Sequence, residues 1–508
     1  MRKIPALLLL LLLLNSPVLA DKEIIVLTGE GLTVEAVVKI ARDEADIGMS
    51  TEGWNRLEAA RDVVDHYVEK DIPAYGFTTM FGQDFDVVLP QAQIAQFNRI
   101  NVIQEATRMG DGSRRPLERG VARAAWALLI NSYARGFSAV SRELTEKMIE
   151  RVNSNRLPED IEIGGSMGDA DLTMNCQLAL SLYDDPGFKL GAGEAMTLMT
   201  HNFISVARAA LVLHEARHLL ERSKVALALN LEGYRANPSP ISPAAVTSTV
   251  YPAKRAVQQD LQRLLAGSRL WEDKGPRRLQ DFLSMRDASD VLAAAQQSVE
   301  DAETVLELAM NAHQGSPMVD VDSGRLLTVT NFDTTQLTLK MDACRLSLAL
   351  LSTTSVNRSL KAISRPFTDL PSGFATDKDG FNGLYTRNIT YWLASLDREA
   401  RLYGTPVVLD AVSYVAEGDE DYSTPLPDTV GLAEELLDRL EKIVTLEALV
   451  GSYAVDRRIE SGELKIEDLP KPLRSTFQNV MARSPKSLQL DEQYTLEPLL
   501  KDFLGERR

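Results

Sequence analysis

Two aspartates in a glycine-rich segment are the first residues whose types could do chemistry. Asp169 and Asp171 stand in the segment 165–171, which reads GSMGDAD. Carboxylates this close in sequence could act as a general acid and base, hold the ammonium group of a ligand, or bind a cation. They could also do no more than close a loop through local hydrogen bonds. The sequence leaves these alternatives open.

A His-Glu-x-x-His motif offers a second kind of chemistry. His214, Glu215 and His218 have the spacing that places two imidazoles on one face of a helix, where they could bind zinc while the glutamate activates water. The pattern assigns no third ligand, so Glu221 or Glu232 would have to supply it. The alternative is an ordinary helix face of His, Glu and Arg side chains in solvent. A zinc hydrolase is therefore one hypothesis.

Long helices must position these residues. Apolar residues recur with helical spacing over most of the chain, and strand patterns are short. The predicted long helices cover 54–69, 117–133, 203–231, 288–312, 337–351 and 429–455, and the predicted strands cover 23–27 and 326–330. This pattern predicts a mainly α fold, a long-helix bundle with a smaller N-terminal lobe. We expect a signal peptide at 1–20, the N-terminal lobe at 21–200, and a central and C-terminal helical bundle at 201–508.

The N-terminus and the charge indicate an exported protein. A basic start at 2–3 precedes an apolar run at 6–14, and Val18 and Ala20 form a site typical of signal peptidase. We expect cleavage after Ala20, a periplasmic or secreted location, and no later segment that approaches a membrane span. The formal net charge of −17 argues against nucleic acid and anionic membrane surfaces as partners.

The two cysteines are predicted to be free. An exported protein could pair them in a disulfide. Cys176 and Cys344 each lie in an apolar helical pattern, however, and this favours two buried thiols. Two cysteines so far apart in sequence do not form a metal site.

Five parts of the chain resemble, in order, motifs of the histidine/phenylalanine ammonia-lyase and aminomutase superfamily. The segment 71–82 (DIPAYGFTTMFG) resembles the loop Tyr-Gly-x-x-Thr-Gly-Phe-Gly, and 130–138 (INSYARGFS) resembles the helix Asn-Ser-Leu-Ala-Arg-Gly-Tyr-Ser. The segment 280–286 (QDFLSMR) resembles Gln-Asp-Pro-Tyr-Ser-Leu-Arg. Farther on, 331–333 (NFD) and 419–421 (DED) resemble Asn-Phe-His and Gln-Glu-Asp. The resemblance implies an aspartase/fumarase-like helical fold and a homotetramer in which several subunits line each active site.

The resemblance also implies a pocket for a small-molecule carboxylate. Tyr75 matches the family's catalytic base near the substrate β-carbon, and Arg286 matches the arginine that pairs with the substrate carboxylate. A guanidinium suits this role because it is planar, always charged and offers two parallel donors. The further matched substrate-binding positions are Asn331, Phe332, Gln280 and Glu420. Glu105 falls where histidine lyases carry a substrate-contacting histidine, which argues against histidine as the ligand.

Three of these residues also have a structural interpretation. Tyr75 could be a loop residue that covers the core, and Arg286 could be an ordinary helix-surface arginine. Glu420 lies in an acidic run and could be a solvated charge. The motifs favour a pocket for Tyr75 and Arg286, whereas both interpretations stay open for Glu420.

The segment that would form the family's cofactor departs from the pattern. The family cyclises an Ala-Ser-Gly triad into methylidene-imidazolone, which requires a serine that loses water and a glycine whose nitrogen attacks the alanine carbonyl. The corresponding residues here are Gly168, Asp169, Ala170 and Asp171, and they supply no hydroxyl group to eliminate. We predict that the cofactor is absent and that these four residues form a degenerate cofactor loop.

Positions that support the ring differ as well. The segment 199–202 reads MTHN where the family has Leu-Asn-Gly-Thr, and Leu283 and Asp333 replace a tyrosine and a histidine. A side-chain base alone supplies about 10²–10⁴-fold of rate, well short of the roughly 10⁶-fold or more expected of an enzyme. Tyr75 and Arg286 could therefore hold a carboxylate without performing the family reaction.

Three hypotheses follow. The first is a divergent carbon–nitrogen lyase that binds an aromatic or related amino-acid-type carboxylate and uses no methylidene-imidazolone. The second is a non-catalytic, ligand-binding or structural descendant of the lyase scaffold. The third is the zinc hydrolase built on His214 and His218.

Overall fold

The computed structural model describes residues 22–374, 383–410, 415, 418, 420–484 and 499. The predicted signal peptide at 1–20 and Asp419 lie outside the described residues. The strands are β1 (Glu23–Leu27), β2 (Ala45–Met49), β3 (Met318–Asp320) and β4 (Arg325–Leu327). The helices are α1 (Val34–Ala41), α2 (Thr51–Glu69), α3 (Ile94–Glu105), α4 (Arg119–Tyr133), α5 (Arg142–Asn153), α6 (Leu172–Ala179), α7 (Glu194–Met199), α8 (Phe203–Tyr234), α9 (Pro243–Ser248), α10 (Pro252–Leu264), α11 (Leu283–Arg286), α12 (Ala288–Met310), α13 (Thr335–Ile363), α14 (Arg365–Thr368), α15 (Gly383–Tyr403), α16 (Leu426–Glu460) and α17 (Lys471–Arg483).

The long helices α8, α12, α13, α15 and α16 pack on one another as a bundle. Helix α8 lies at its centre because apolar residues surround its axis, and the helix is buried along most of its length. Helix α16 approaches α8 closely at Gly451, where a Cβ atom would lie 2.6 Å from the Asn230 amide nitrogen. A buried ion pair between Arg358 and Glu447, with an Nε–Oε1 distance of 2.8 Å, joins α13 to α16. These contacts hold the long helices of the bundle together.

The N-terminal lobe is built on a two-stranded parallel sheet. Strand β1 pairs with β2 in the register Glu23↔Ala45 through Leu27↔Met49, and α1 forms the crossover between them. The Arg123 side chain of α4 is buried below this unit, where its Nε donates to the Ile40 carbonyl oxygen at 2.9 Å. Strands β3 and β4 form a short antiparallel hairpin elsewhere in the chain. The mainly α class is thereby confirmed, and the division near residue 200 stays a prediction.

The predicted helices are confirmed, and four of them, α2, α8, α13 and α16, are longer than expected. Helix α13 continues twelve residues beyond the predicted end at 351, through a Ser- and Thr-rich stretch that breaks the apolar pattern. Its polar side chains are satisfied inside the bundle: the Ser352 hydroxyl donates to Asp397 at 2.9 Å, and the Ser355 hydroxyl donates to Glu447. The predicted strand at 326–330 is shorter, because β4 ends at Leu327.

Burial distinguishes the core helix from a membrane span. Within the described residues, the stretch Glu194–Tyr234 is long and apolar enough to cross a membrane, and 89% of its most apolar window is buried inside the protein. We expected no segment after the signal peptide to resemble a membrane-spanning helix, and this expectation was wrong. The central helix of a large bundle is as apolar as a membrane-spanning helix, because it is buried on all sides. Cys176 and Cys344 are buried free thiols, as predicted.

Candidate active site

The tyrosine loop is a tight turn with its aromatic ring at the surface. The Ala74 carbonyl oxygen accepts hydrogen bonds from the three amides at 77–79, at 3.0–3.1 Å. Gly76 has φ 67° and packs on Met196, where a Cβ atom would lie 2.5 Å from the Met196 Cγ. The Tyr75 side chain is 39% exposed, and its phenol oxygen accepts a hydrogen bond from the Gly82 amide at 3.0 Å. The turn therefore holds the Tyr75 hydroxyl at the surface instead of in the core.

The degenerate cofactor loop lies against the segment that follows Glu420. Gly168 has φ 103°, and a Cβ atom at this position would lie 1.6 Å from the Thr424 carbonyl oxygen. The Thr424 hydroxyl in turn lies 2.8 Å from the Thr334 hydroxyl, at the start of α13. These contacts bring together three segments that are distant in sequence: 168–171, 332–335 and 420–424.

Asn202 joins the same segments, and sequence reasoning missed it. Its Nδ2 donates to the carbonyl oxygens of Gly168, Asp169 and Phe332, at 3.1, 3.3 and 3.0 Å. The side chain is completely buried, and its Oδ1 has no hydrogen-bond partner. Comparison with the family motif identifies the segment MTHN only as an altered turn. An asparagine directly before a long helix, however, often makes a polar contact at the start of that helix, and this signal could have identified Asn202.

Asp171 holds the N-terminus of α8. Its carboxylate accepts hydrogen bonds from the Ser205 amide and the Ser205 hydroxyl, both at 2.7 Å. Burial raises the pKa of Asp171, while the hydrogen bonds from Ser205 oppose that rise. An N-terminal helix amide has no partner within the helix, so a buried carboxylate there is a structural cap. Among the alternatives for Asp171, closing a loop is the one that these contacts support.

Asp169, Glu420 and Glu105 form a group of carboxylates that we call the carboxylate row. The Asp169 and Glu420 side chains are hydrogen-bonded, and burial followed by this neighbour raises the pKa of Asp169 to about 7. Burial, followed by the charge of Glu420, also raises the pKa of Glu105, the last residue of α3. The Asp169 carboxyl group therefore keeps its proton to a higher pH than an isolated carboxyl group does.

The residues at 168–171 do not fit a methylidene-imidazolone. Ser166 stands two residues before Gly168, and its Oγ lies 2.8 Å from the Ala170 carbonyl oxygen and 3.2 Å from Asp171 Oδ1. The Asp169 side chain is engaged with Glu420, and the Asp171 side chain caps α8. We therefore derive no chemical step through that group.

The other predicted site residues lie on separate elements. Arg286 ends α11 with a side chain that is 36% exposed, and its Nε lies 3.8 Å from Asp287 Oδ1. Asn331 and Gln280 are exposed, and Phe332 is partly buried. Within the described residues, the Tyr75 phenol contacts the Gly82 amide and Arg286 contacts Asp287. Hydrogen bonds bring the degenerate cofactor loop together with Phe332 and Glu420.

The His-Glu-x-x-His motif is engaged in other contacts. The rings of His214 and His218 are 4.5 Å apart, and Arg217 Nη2 lies 3.4 Å from His214 Nδ1. Glu215 pairs with Arg42 at 3.0 Å. In the part of the chain that the structure describes, no three His, Cys, Asp or Glu side chains are grouped so that they could hold a metal ion. The helix therefore offers nothing that favours the zinc hydrolase.

Solved structures with this fold define its class as the ammonia-lyase and aminomutase type. Ergothionase from Treponema denticola matches with a TM-score of 0.84 and 21% identity, covering 95% of this chain and 98% of the other. The phenylalanine aminomutase of Pantoea agglomerans matches with a TM-score of 0.83 and 20% identity, covering 95% and 98%. At these identities the likeness shows the fold alone.

Sequence comparison places the chain more narrowly. The histidine ammonia-lyase of Caldanaerobacter subterraneus is 25% identical over 456 residues, covering 85% of this chain and 88% of the relative. The Myxococcus xanthus histidine ammonia-lyase is 26% identical over 457 residues, covering 86% and 89%. The model of the aromatic amino acid lyase family matches residues 32–188 and 185–475. The chain belongs to the aromatic amino acid lyase family, as its motifs indicated.

Proposed function

We propose that this protein is a carbon–nitrogen lyase that acts on an amino-acid-type carboxylate without methylidene-imidazolone. The observation that carries the proposal is the hydrogen-bonded pair of Asp169 and Glu420, since Asp169 belongs to the segment that matches the family's cofactor loop. An electrophilic ring binds an amine covalently, whereas a carboxylate pair attracts an ammonium group as a cation. The pair therefore supplies a different means of holding the leaving amine.

In the proposed reaction the chain's own residues bind the substrate and move one proton. Arg286 binds the substrate carboxylate, and Tyr75, reacting as its phenolate, takes a proton from the β-carbon and becomes the neutral phenol. The C–H electron pair becomes the new double bond, and the C–N electron pair leaves with the amine. The products are an unsaturated carboxylate and a neutral amine, and Tyr75 must then release its proton before the next turnover.

The substrate has to provide part of the activation. An ammonium group that loses its proton becomes a very poor leaving group, whereas a permanently charged N-trimethylated amine cannot lose one. A substrate with such an amine, or with a ring that acidifies the β-proton, would need less help from the protein. Ergothioneine, which the Treponema denticola ergothionase degrades, therefore belongs in the substrate panel beside the amino acids of the named relatives.

We also propose that the protein is an exported homotetramer. A tetramer in which several subunits line each active site would bring Tyr75 and Arg286 of neighbouring subunits to the carboxylate row. Apolar side chains are exposed along one face of α13, with Leu339, Leu346 and Leu350 at 51, 55 and 52%. Their spacing is that of one helix face, and an exposed apolar stripe on a bundle is typical of a subunit interface.

The covalent state is tested by the intact mass of the mature protein. Formation of the ring removes two waters, so we expect the mass of the unmodified chain. A deficit of two waters, together with near-ultraviolet absorbance, would refute the proposal and favour an ordinary ammonia-lyase reaction.

The reaction is tested by following an unsaturated product spectroscopically with histidine, phenylalanine, tyrosine and ergothioneine. Tyr75→Phe is expected to lower kcat by about 10²–10⁴-fold. Tyr251→Phe, a tyrosine that is 70% exposed and away from the site, serves as the control and should keep full activity. Ligand binding without turnover of any substrate would favour the non-catalytic descendant.

A further inference from the structure

The N-terminal lobe contains a cavity of about 730 Å³ whose lining includes none of the candidate site residues. Its walls come from α5, from the segment 156–160 and from the short 3-10 turn Leu180–Asp184 that follows α6. Cavities that hold small molecules have volumes of about 300–1,000 Å³. The cavity is therefore large enough for a small-molecule ligand, and neither the family motifs nor the proposed function gives it a role.

Basic side chains form the inner part of this cavity. Lys147 and Arg151 lie one helical turn apart on α5, so they share one face of the helix. The Arg151 side chain is 10% exposed, whereas Asp184, whose Oδ2 lies 3.0 Å from Arg151 Nη1, is 71% exposed. Lys147 is 19% exposed and its partner Asp185, at 2.8 Å, is 55% exposed. In both pairs the cation is buried and the carboxylate is at the surface.

Two further ion pairs line the cavity. Arg108, which follows α3, pairs with Asp160, and the carboxylate is again the more exposed partner. Arg156, which follows α5, pairs with Glu150, and both of these side chains are exposed. Four cations and four carboxylates thus line one cavity, so its total charge is close to zero. The sign of the potential inside it depends on how deeply each charge lies.

The depth of the charges makes the interior of the cavity positive. Water screens an exposed carboxylate more strongly than a buried guanidinium, because the effective dielectric constant falls with burial. An anion inside the cavity is therefore attracted by Lys147 and Arg151 more strongly than it is repelled by Asp184 and Asp185. Since these two carboxylates are at the surface, water can solvate them when an anion takes their place.

Arg151 has hydrogen-bond donors for such an anion. A guanidinium carries five N–H donors in one plane, and the hydrogen bond from Arg151 to Asp184 uses Nη1. Paired donors in a plane match two oxygens of a carboxylate or phosphate group. Because Lys147 lies only one turn away on the same helix face, a ligand with two anionic groups would reach both cations.

We infer that this cavity binds a small molecule with at least two anionic groups, carboxylates or phosphates, and that Arg151 is its main anchor. The inference goes beyond the proposed function and does not depend on it. The substrate proposed above binds through Arg286, which does not line the cavity.

Isothermal titration calorimetry of the full-length mature protein tests this with sodium pyrophosphate and sodium citrate, at a constant ionic strength of about 0.1 M. We expect saturable binding of at least one of them with a Kd below about 1 mM. The tighter ligand identifies the kind of anionic group. Sodium acetate, which carries one charge, should bind at least about tenfold more weakly because it cannot reach both cations.

Two variants at one ion pair should change the affinity in opposite directions. Arg151→Gln should weaken binding by about tenfold or more. Asp184→Asn should strengthen it by about two- to fivefold, because it removes the carboxylate that competes for Arg151. Asp65→Asn is the matched control and should leave the affinity unchanged. Asp65 is the exposed partner of another largely buried arginine, Arg61, at 2.7 Å, and neither residue lines the cavity.

Thermal unfolding of each variant establishes that it is folded. If Arg151→Gln does not fold, Arg108→Gln takes its place, since Arg108 lies in a loop and is less buried. We expect this variant to weaken binding by about threefold or more.

Three results would overturn the inference. The first is no saturable binding of pyrophosphate or citrate below about 10 mM. The second is unchanged affinity in the arginine variant, or no gain of affinity in Asp184→Asn. The third is loss of binding in Arg286→Gln, which would place the anions in the proposed active site. The proposed function fails separately, through a two-water deficit in the intact mass.

Discussion

At the scale of single residues, Asp169 and Asp171 are two positions apart and have different environments. Asp171 is fully buried and accepts two hydrogen bonds from Ser205. Asp169 is only partly buried, and its neighbour is another carboxylate. A carboxylate that is satisfied by donors is a structural element, whereas one that faces a like charge is available to a ligand. The two residues therefore call for different experiments.

Asp169 is expected to make stability fall as pH rises towards neutrality. Its pKa in the folded protein is about 7, against 3.8 for the ordinary carboxyl group. The folded state therefore binds a proton that the unfolded state has lost, and this stabilisation is complete below about pH 4 and is lost by about pH 7. Asp169→Asn cannot ionise, so it should be more stable than the wild type at pH 8 by about 1–2 kcal/mol after discounting for solvent.

The measurement is urea unfolding of both proteins between pH 5 and 8. The advantage of Asp169→Asn should shrink as the pH falls, because the wild-type carboxyl group becomes neutral. Asp322→Asn, at an exposed turn between β3 and β4, is the control and should show no such trend. A stability difference between Asp169→Asn and the wild type that stays constant from pH 5 to 8 would contradict the raised pKa of Asp169.

Asp171 is expected to be a stability residue. Asp171→Ala leaves the Ser205 amide and hydroxyl without their acceptor at the start of α8, so we expect a loss of about 2–4 kcal/mol. Asp171→Asn keeps one acceptor and should lose less. Chemical unfolding at pH 7 measures both, with Ser205→Ala as a milder comparison. A loss of less than about 0.5 kcal/mol in Asp171→Ala would exclude the capping role.

At the scale of elements, the site depends on the contact between the degenerate cofactor loop and the segment before α16. The contact is possible because Gly168 has no Cβ atom and adopts φ 103° against the Thr424 carbonyl. The close contact between these two segments also brings Glu420 to Asp169. A change at this glycine should therefore affect both stability and the carboxylate row.

Gly168→Ala is expected to lower stability by about 2 kcal/mol or more, because the new methyl group overlaps the Thr424 carbonyl and the backbone is strained. Separation of the two segments should also abolish the pH effect assigned to Asp169. Gly267→Ala is the matched control, since Gly267 has φ 80° and an added Cβ atom there would meet no heavy atom within 4 Å. Equal losses of stability in Gly168→Ala and Gly267→Ala would mean that backbone strain alone is responsible, and not the contact with Thr424.

At the scale of the whole molecule, assembly is expected to complete the site. Light scattering of the purified mature protein should give four times the chain mass, and N-terminal sequencing should begin at Asp21. Leu346→Asp places a charge on the exposed face of α13 and should dissociate the tetramer and lower activity. Leu409→Asp, at a side chain that is 92% exposed, is the control. A monomer with full activity at micromolar concentration would contradict the proposed assembly.

Sequence patterns predicted the long helices well and the site only in part. The ends of α8 and α12 followed from apolar periodicity, which is a local property. Asn202 was missed because its three carbonyl partners come from segments 168–169 and 332, which only the fold brings together. Loop closure was one of the alternatives for Asp171, but its partner Ser205 could not be predicted, since Ser205 lies across a turn that the sequence did not define.

The sequence by itself determined the family, the mainly helical fold and the loss of the Ala-Ser-Gly triad, because these depend on residue identity, order and spacing. Only the tertiary structure decided which carboxylates act together. Glu105, Asp169 and Glu420 are far apart in the chain, and the pKa values of Glu105 and Asp169 are raised by their burial and by the neighbouring Glu420 carboxylate. Burial and proximity set a pKa, and neither is a property of a linear sequence.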